Sequence, residues 1–398
     1  MNKLSRHTYA TVITALSAFI LLSCHYSGAQ EVSFPDRWKD PLTKVRPIFE
    51  ADTVTVCILG DMMMHENQIR HAGSDGGYDF RSYFSLIEDE IRKADIAVAN
   101  MEFTLAGEPY SGYPCFSAPD EFADYLAKCG FDVFLAANNH IFDKGTAGAE
   151  RTIMKYRELG ATNGIRFTGI AADEDEMKAN TPLIIRKRGI KLAFVNATYG
   201  TNIGLTTHWP RTTRLSAQEV ISDALSRAEE SDADIIMAFP HWGTEYVLTH
   251  SQAQEKTAAW LADSGADMIL GAHPHVIQDF QVMEVCKDGE QKYVPVAYSL
   301  GNAVSNMSAP NTQLELMAVV KIVRKTNGDI RVLPVEFTYL WCSRPGGYGD
   351  SFTVIPVEEF LDKKDKWKNS HDYDKMASTY AHVARITGIK DIHTISNE

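Results

Sequence analysis

Beyond Leu22 the sequence has no apolar run long enough to cross a bilayer, so any membrane segment is confined to the N-terminus. It also lacks a basic stripe: 39 Lys and Arg stand against 52 Asp and Glu, a net charge of -13. Phosphate binding along a nucleic acid needs a concentrated Lys/Arg surface, so a nucleic-acid partner is argued against. The one short basic cluster, Arg186, Lys187, Arg188 and Lys191, reads as a solvated turn between two strands around Gly189. Cysteine is scarce, six in 398 residues, with no CxxC or other close spacing, which leaves no disulfide framework and places Cys57, inside an apolar run, in the core. No Pro/Ser/Gly linker, low-complexity tract or repeat divides the middle of the chain. With 44% apolar and 23% charged residues, the composition is that of one large globular domain with terminal extensions.

What is present begins at the N-terminus. Lys3 and Arg6 precede an apolar run from Ala10 to Leu22, the length of a signal-peptide core, which ends in Leu21-Leu22-Ser23-Cys24. A small residue just before a cysteine at this place resembles the lipobox of bacterial lipoproteins. That resemblance implies a signal peptide over residues 1–24 and acylation of Cys24. It also implies a tether over residues 25–51, with Pro35, Pro41 and Pro47, and an extracytoplasmic body held to a membrane of the bacterial envelope by its lipid. Ordinary secretion and a retained anchor are the alternatives.

Along the body, short β-branched runs each end in a polar cluster: Val54 to Leu59, Ile96 to Ala99, Val133 to Ala137, Leu192 to Val195, Ile235 to Phe239 and Met268 to Leu270. Helical patterns fall between them over Tyr83 to Lys93, Pro119 to Lys128, Ala147 to Leu159, Ala217 to Ala228 and Gln252 to Ala262. This alternation predicts an α/β fold whose ligands gather beyond the carboxyl ends of the strands. After Gly271 the pattern becomes strands without long helices, Ile277 to Val285, Tyr293 to Tyr298, Leu316 to Val323 and Ile330 to Tyr339, which predicts a second sheet packed on the first. The main domain is placed at 52–340 and a charged, aromatic C-terminal extension at 341–398.

Six clusters sit at the predicted strand ends. They are Gly60-Asp61, Asn100-Met101-Glu102, Asn138-Asn139-His140, His241-Trp242-Gly243-Thr244-Glu245-Tyr246, Gly271-Ala272-His273-Pro274-His275 and Ser299-Leu300-Gly301-Asn302. Singly, each has an ordinary reading: a turn aspartate, a helix cap, a structural histidine, a Pro-containing turn. Jointly they bring carboxylates, amides and imidazoles to one rim, a donor set suited to first-row divalent ions and Mg. Two histidines two apart on an extended segment point the same way, so His273 and His275 are expected to face one metal cluster.

The order of these motifs resembles the capsule-synthesis CapA family, associated with poly-γ-glutamate capsules, over roughly residues 53 to 305, with Tyr199-Gly200-Thr201-Asn202 as a further matching segment. That family in turn resembles the calcineurin-like metallophosphoesterases. The resemblance implies a four-layer sandwich of two mixed sheets flanked by helices, holding two divalent ions of Mn, Fe, Zn or Mg. By position, Asp61 and His275 would bind the first ion, Glu102 would bridge both, Asn139, His241 and His273 would bind the second, and His140 would be the general acid. Asn202, Trp242, Glu245 and Asn302 are expected against the substrate. The sequence departs from the phosphoesterase pattern where Asp-x-His becomes Asp61-Met62-Met63, with His65 two positions late, leaving His65 or Arg70 as the nearby basic residue.

The function implied is a metal-dependent hydrolase or transferase that makes, processes or exports a capsule polymer, with membrane-bound synthesis or export proteins as partners. A non-catalytic polymer-binding subunit and a general extracytoplasmic phosphoesterase are the alternatives.

Overall fold

The computed structural model describes residues 53–204, 208–287, 289–325 and 327–390; the signal segment, Cys24 and the tether lie outside these residues. Among the described residues no helix is long and apolar enough to cross a membrane.

Strand β1 (Thr53–Met62) shows how the layers arise. Val54, Val56 and Ile58 point to one apolar cluster, while Cys57 and Leu59 point to another, because successive side chains of a strand face opposite ways. Strand β2 (Ile96–Met101) does the same, with Ile96 and Val98 on one side and Ala97, Ala99 and Met101 on the other. Strands buried on both faces read as continuous apolar runs, as these do. Each fully buried Val, Ile or Leu contributes about 1.5–3 kcal/mol relative to exposure.

The first sheet continues from β1 and β2 through β3 (Val133–Leu135) to β4 (Arg166–Thr168), all parallel. The second sheet holds β5 (Leu183–Lys187), β6 (Ile190–Thr198), β7 (Ile235–His241), β8 (Met268–Leu270), β9 (Phe280–Lys287) and β10 (Glu290–Ala297). Its spatial order is β9-β10-β8-β7-β6-β5. Strands β5 and β6 form the hairpin expected around Gly189, which adopts a left-handed φ of 80°. The chain then returns to the first sheet with β11 (Leu314–Arg324), β12 (Ile330–Val332), β13 (Glu336–Ser343) and β14 (Thr353–Pro356), giving the order β14-β13-β11-β1-β2-β3-β4 with β12 beside β11.

Helices α1 (Glu66–Ala72), α2 (Glu88–Lys93), α3 (Asp120–Cys129) and α4 (Gly145–Asn163) cover the outer face of the first sheet. Helices α5 (Gln218–Glu230) and α6 (Gln252–Asp263) cover that of the second. The third cluster, with Val98, Leu192, Met237 and Leu316, lies between the sheets. The architecture is therefore the four-layer α/β sandwich expected.

Three details differ from the sequence reading. The strands after Gly271 do not make a sheet of their own: β9 and β10 extend the sheet of β6, β7 and β8, whereas β11 pairs antiparallel with β1, Val56 opposite Val320. Pairing partners this far apart in sequence leave no local mark. The run Ile330 to Tyr339 is two strands, separated at Leu333–Val335, where Pro334 has no N–H to give a ladder. Residue 341, the expected start of an extension, lies inside β13, and β14 adds the next strand to the same sheet. Helix α7 (Ser370–Thr387) then buries Met376 and Val383 in the inter-sheet core.

Candidate metal centre

The carboxyl ends of the parallel strands of both sheets converge on one point. Asp61 lies near the end of β1, Glu102 follows β2, Asn139 and His140 follow β3, His241 closes β7, and His273 and His275 follow β8. All seven are buried. Gly60 makes the approach of β1 possible: a Cβ there would lie 2.1 Å from the carbonyl oxygen of Gly301, which accepts the Asp61 N–H at 2.9 Å.

Three groups of side chains have ligand atoms within 4.8 Å of one another: Asp61, Glu102 and His275; Glu102, His241 and His273; and Glu245, His273 and His275. Glu102 belongs to the first two. Its Oε1 lies 3.5 Å from His241 Nε2 and 3.8 Å from His275 Nε2. Asn139 joins the His241 side, its Oδ1 2.6 Å from His241 Nε2.

The donor chemistry fits divalent cations. Both Glu102 oxygens and Nδ1 of His273 are buried without a hydrogen-bond partner, an arrangement that costs free energy unless something positive completes it. Burial, followed by the charges of Asp61 and Glu245, holds the Glu102 carboxyl well above its ordinary range. Burial, with the neighbouring imidazoles adding to it, drives His241 well below the ordinary histidine value and His273 down to about 3, so both rings are neutral and have a lone pair to offer. At His275 burial acts downward, but the hydrogen bond and charge of Asp61 overcome it and the net direction is up.

His273 and His275 converge for a reason other than the one expected. Their segment is not extended: both residues have left-handed backbones, φ 97° and 59°. Such conformations in non-glycine residues cost on the order of 1–3 kcal/mol each and persist where the surroundings impose them. The backbone N–H of His273 donates to Asp61 Oδ2 at 3.1 Å, which fixes the turn on the carboxylate it serves.

His140 stands beside this group. Its Nδ1–H donates to Asp143 Oδ2 at 2.7 Å, and the same oxygen accepts the Phe116 N–H at 2.8 Å. That pairing sets the tautomer and leaves Nε2 as the atom that can hand over a proton. Asn202, whose N–H donates to the Asn139 carbonyl, places its side-chain amide 3.4 Å from His140 Nε2.

Two residues expected against the substrate lie elsewhere. Trp242 is buried behind the second sheet, where its indole N–H donates to the Tyr298 carbonyl at 2.9 Å. The alternation that turns His241 inward turns its neighbour outward to the helices. Asn302 is fully buried behind His275: its Oδ1 accepts from His275 Nδ1 at 2.9 Å, while its amide donates to the carbonyls of His275 and Thr312. It therefore orients an imidazole, leaving Nε2 toward Glu102.

Sequence reasoning missed Asp143, although His140-Ile141-Phe142-Asp143 places the pair one turn apart. It also gave no role to Asn100, whose Nδ2 donates to Asp61 Oδ1 at 2.6 Å and lies 3.3 Å from His241 Nδ1. Tyr199, 47% exposed, lays its ring 4.6 Å from that of His273. Arg70 is on the outer face of α1, bonded to Asn67, and does not reach the centre.

His65 lies nearer, and burial together with the charges of His275, His140 and Arg344 pulls it down to about 4. His65 and His273 thus bind protons in the unfolded chain at pH values where the fold keeps them neutral. The contribution of these two rings to the stability of the metal-free protein therefore falls as pH drops from about 6.5 toward 4, with His273 extending the loss toward 3, against the opposite slope of the raised Glu102 carboxyl. Melting temperature followed against pH in chelator, for the wild type and for His65→Gln, checks this: the wild type should lose more stability between about pH 6.5 and 4 than the variant, and identical slopes would contradict the reading of His65.

Residues 55–307 match the model of the bacterial capsule synthesis protein family PGA_cap. The chain belongs to that family. It is 26% identical over 340 residues to the capsule biosynthesis protein CapA of Bacillus anthracis, covering 82% of this chain and 76% of the relative. It is 23% identical over 300 residues to the PGA biosynthesis protein CapA of Bacillus subtilis (strain 168), covering 72% and 73%. Among solved structures it is similar to a 5'-nucleotidase precursor from Thermus thermophilus, with a TM-score of 0.44 and 11% identity over 84% of this chain, but spans only 59% of that protein's length. The NAD nucleotidase NadN of Haemophilus influenzae gives a TM-score of 0.42 at 12% identity, covering 84% of this chain and 68% of that one. The overlap at those scores is partial and says nothing of activity. The PGA_cap match ends before β11, so the strands that complete the first sheet around β1 lie outside it.

Proposed function

We propose that this PGA_cap member is a lipid-anchored, extracytoplasmic, metal-dependent hydrolase or transferase acting on an envelope or capsule polymer such as poly-γ-glutamate. The observation that carries the reading is Glu102, a buried carboxylate with both oxygens unpartnered and shared by two groups of ligands. In this reading Asp61, Glu102 and His275 hold one cation, and Glu102, Asn139, His241 and His273 hold the other. Divalent cations held there would act as Lewis acids on the bond under attack and on the attacking water.

The remaining work falls to the protein. Asn302 and Asn100 hold His275 and Asp61 in place, and Asp143 holds His140 so that Nε2 delivers a proton to the leaving oxygen or nitrogen. The name of the Bacillus subtilis relative supports a polymer substrate, and Cys24 would keep the enzyme at the surface where such a polymer is made or exported by membrane partners. Elemental analysis of the full chain, purified without chelator, tests the reading against an Asp61→Ala/His241→Ala variant. Close to two ions per chain, lost in the variant, is the expected result. No bound metal after supply of Mn or Zn would transfer the role to polymer binding or assembly.

A further inference from the structure

A cavity of about 390 Å³ is lined by the segment Trp209–Arg214 together with Met177, Val220 and Phe142, and Phe142 lies two residues along the chain from His140. Its lining contains two arginines, Arg211 and Arg214, and no carboxylate. In a chain of net charge -13 that is an unusual concentration of one sign. The adjoining depression beyond Met177 shares Arg211 with it and is mixed in charge, its other cations Lys178 and Arg227 being paired with Glu174 and Asp223; Arg214 lines the first cavity only.

The two arginines are held differently. Arg211 places its guanidinium 4.8 Å over the Trp209 ring, and its charge also reaches Glu174, outside the cavity. Arg214 is half-buried and has no carboxylate within ion-pair distance among the described residues. Its backbone position is fixed relative to the metal ligands. Arg214 bridges to Thr198, and Thr198 lies opposite His241 in the β6–β7 register. Arg214 is thus two strand spacings from His241, roughly 10 Å at about 4.8 Å per spacing, or about three residues of extended chain.

We infer that this cavity is a subsite for an anionic segment of the polymer, with Arg214 and Arg211 receiving its carboxylates while a neighbouring bond lies at the metal centre. The apolar wall of Phe142, Met177 and Val220 suits the methylene portions of a chain whose charges are spaced along it. Guanidinium groups are well matched to carboxylates, and half-buried ones are screened less than surface ones. The assignment rests on the polymer-directed reading above, but binding can be read without turnover.

The test is fluorescence anisotropy of a labelled short γ-linked oligoglutamate on the full chain, with inorganic phosphate as the comparison anion. Arg214→Gln should weaken oligoglutamate binding about ten-fold, and Arg214→Lys should restore part of it. Arg211→Gln, at a more exposed position, should weaken it less while leaving the metal content unchanged. Oligoglutamate affinity unchanged in both Gln variants overturns the proposal, as does phosphate binding as tightly as the oligomer with the same dependence on Arg214. Failure of the metal-dependent reading would show in the elemental analysis and would leave these affinities standing.

Discussion

Glu102→Gln should be more stable than the wild type in the metal-free protein and less stable than it in the metal-loaded one. In the metal-free state Glu102 is a buried acid whose carboxyl is held well above its ordinary range, first by burial and then by Asp61 and Glu245. An acid with a raised folded pKa binds more protons folded than unfolded, so its stabilising contribution is present at low pH and lost as pH rises past the unfolded value. At neutral pH Glu102 therefore destabilises the empty centre, and glutamine, carrying no charge, relieves it. With Mn or Zn present the sign changes, because the shared anionic ligand is gone. Metal affinity should fall by more than about 100-fold, since loss of an outer-shell partner alone reaches that range. Melting curves of both proteins with chelator and with Mn check this directly: the variant should melt higher in chelator and lower in Mn. If the wild type melts higher in both, Glu102 is not the shared anion of the centre.

In the metal-dependent reaction proposed above, His140→Asn should reduce turnover by about 10²–10⁴-fold, the usual contribution of a positioned general acid or base, without loss of metal. His140 belongs to none of the three ligand groups, and its side chain is held by Asp143, Asn202 and the Phe116 ring. Asp143→Asn should give a smaller loss, because the imidazole remains but its tautomer is no longer held. Steady-state kinetics with parallel metal analysis separates the two effects. Unchanged kcat in a fully metallated His140→Asn protein would remove His140 from the chemistry.

How much of this centre is legible in advance depends on how local its causes are. The apolar strands and the polar residues at their ends are local: Val54, Val56 and Ile58 followed by Asp61, or Ile235, Met237 and Phe239 followed by His241, declare a strand and what stands at its tip. Helix α7 is less legible because its buried face is sparse, with Met376 and Val383 far apart in a charged and aromatic segment. Trp242 suggests a substrate contact because it neighbours His241 in sequence, yet strand alternation places neighbours on opposite faces. Asn302 reads as a wall of the site because nothing local shows that its amide is used by the Thr312 and His275 carbonyls.

The sequence alone determined the residue types that could hold cations, the α/β alternation and the acidic net charge, since each is a property of short windows or of composition. Tertiary structure decided which strands share a sheet, as in the pairing of Val56 with Val320, and which groups share Glu102. It also decided that His273 and His275, on either side of Pro274, take positive φ and that two arginines line a cavity whose walls hold no carboxylate. The reason is physical: hydrogen-bond registry, burial and the electrostatic cost of gathering like charges depend on neighbours that only folding brings together.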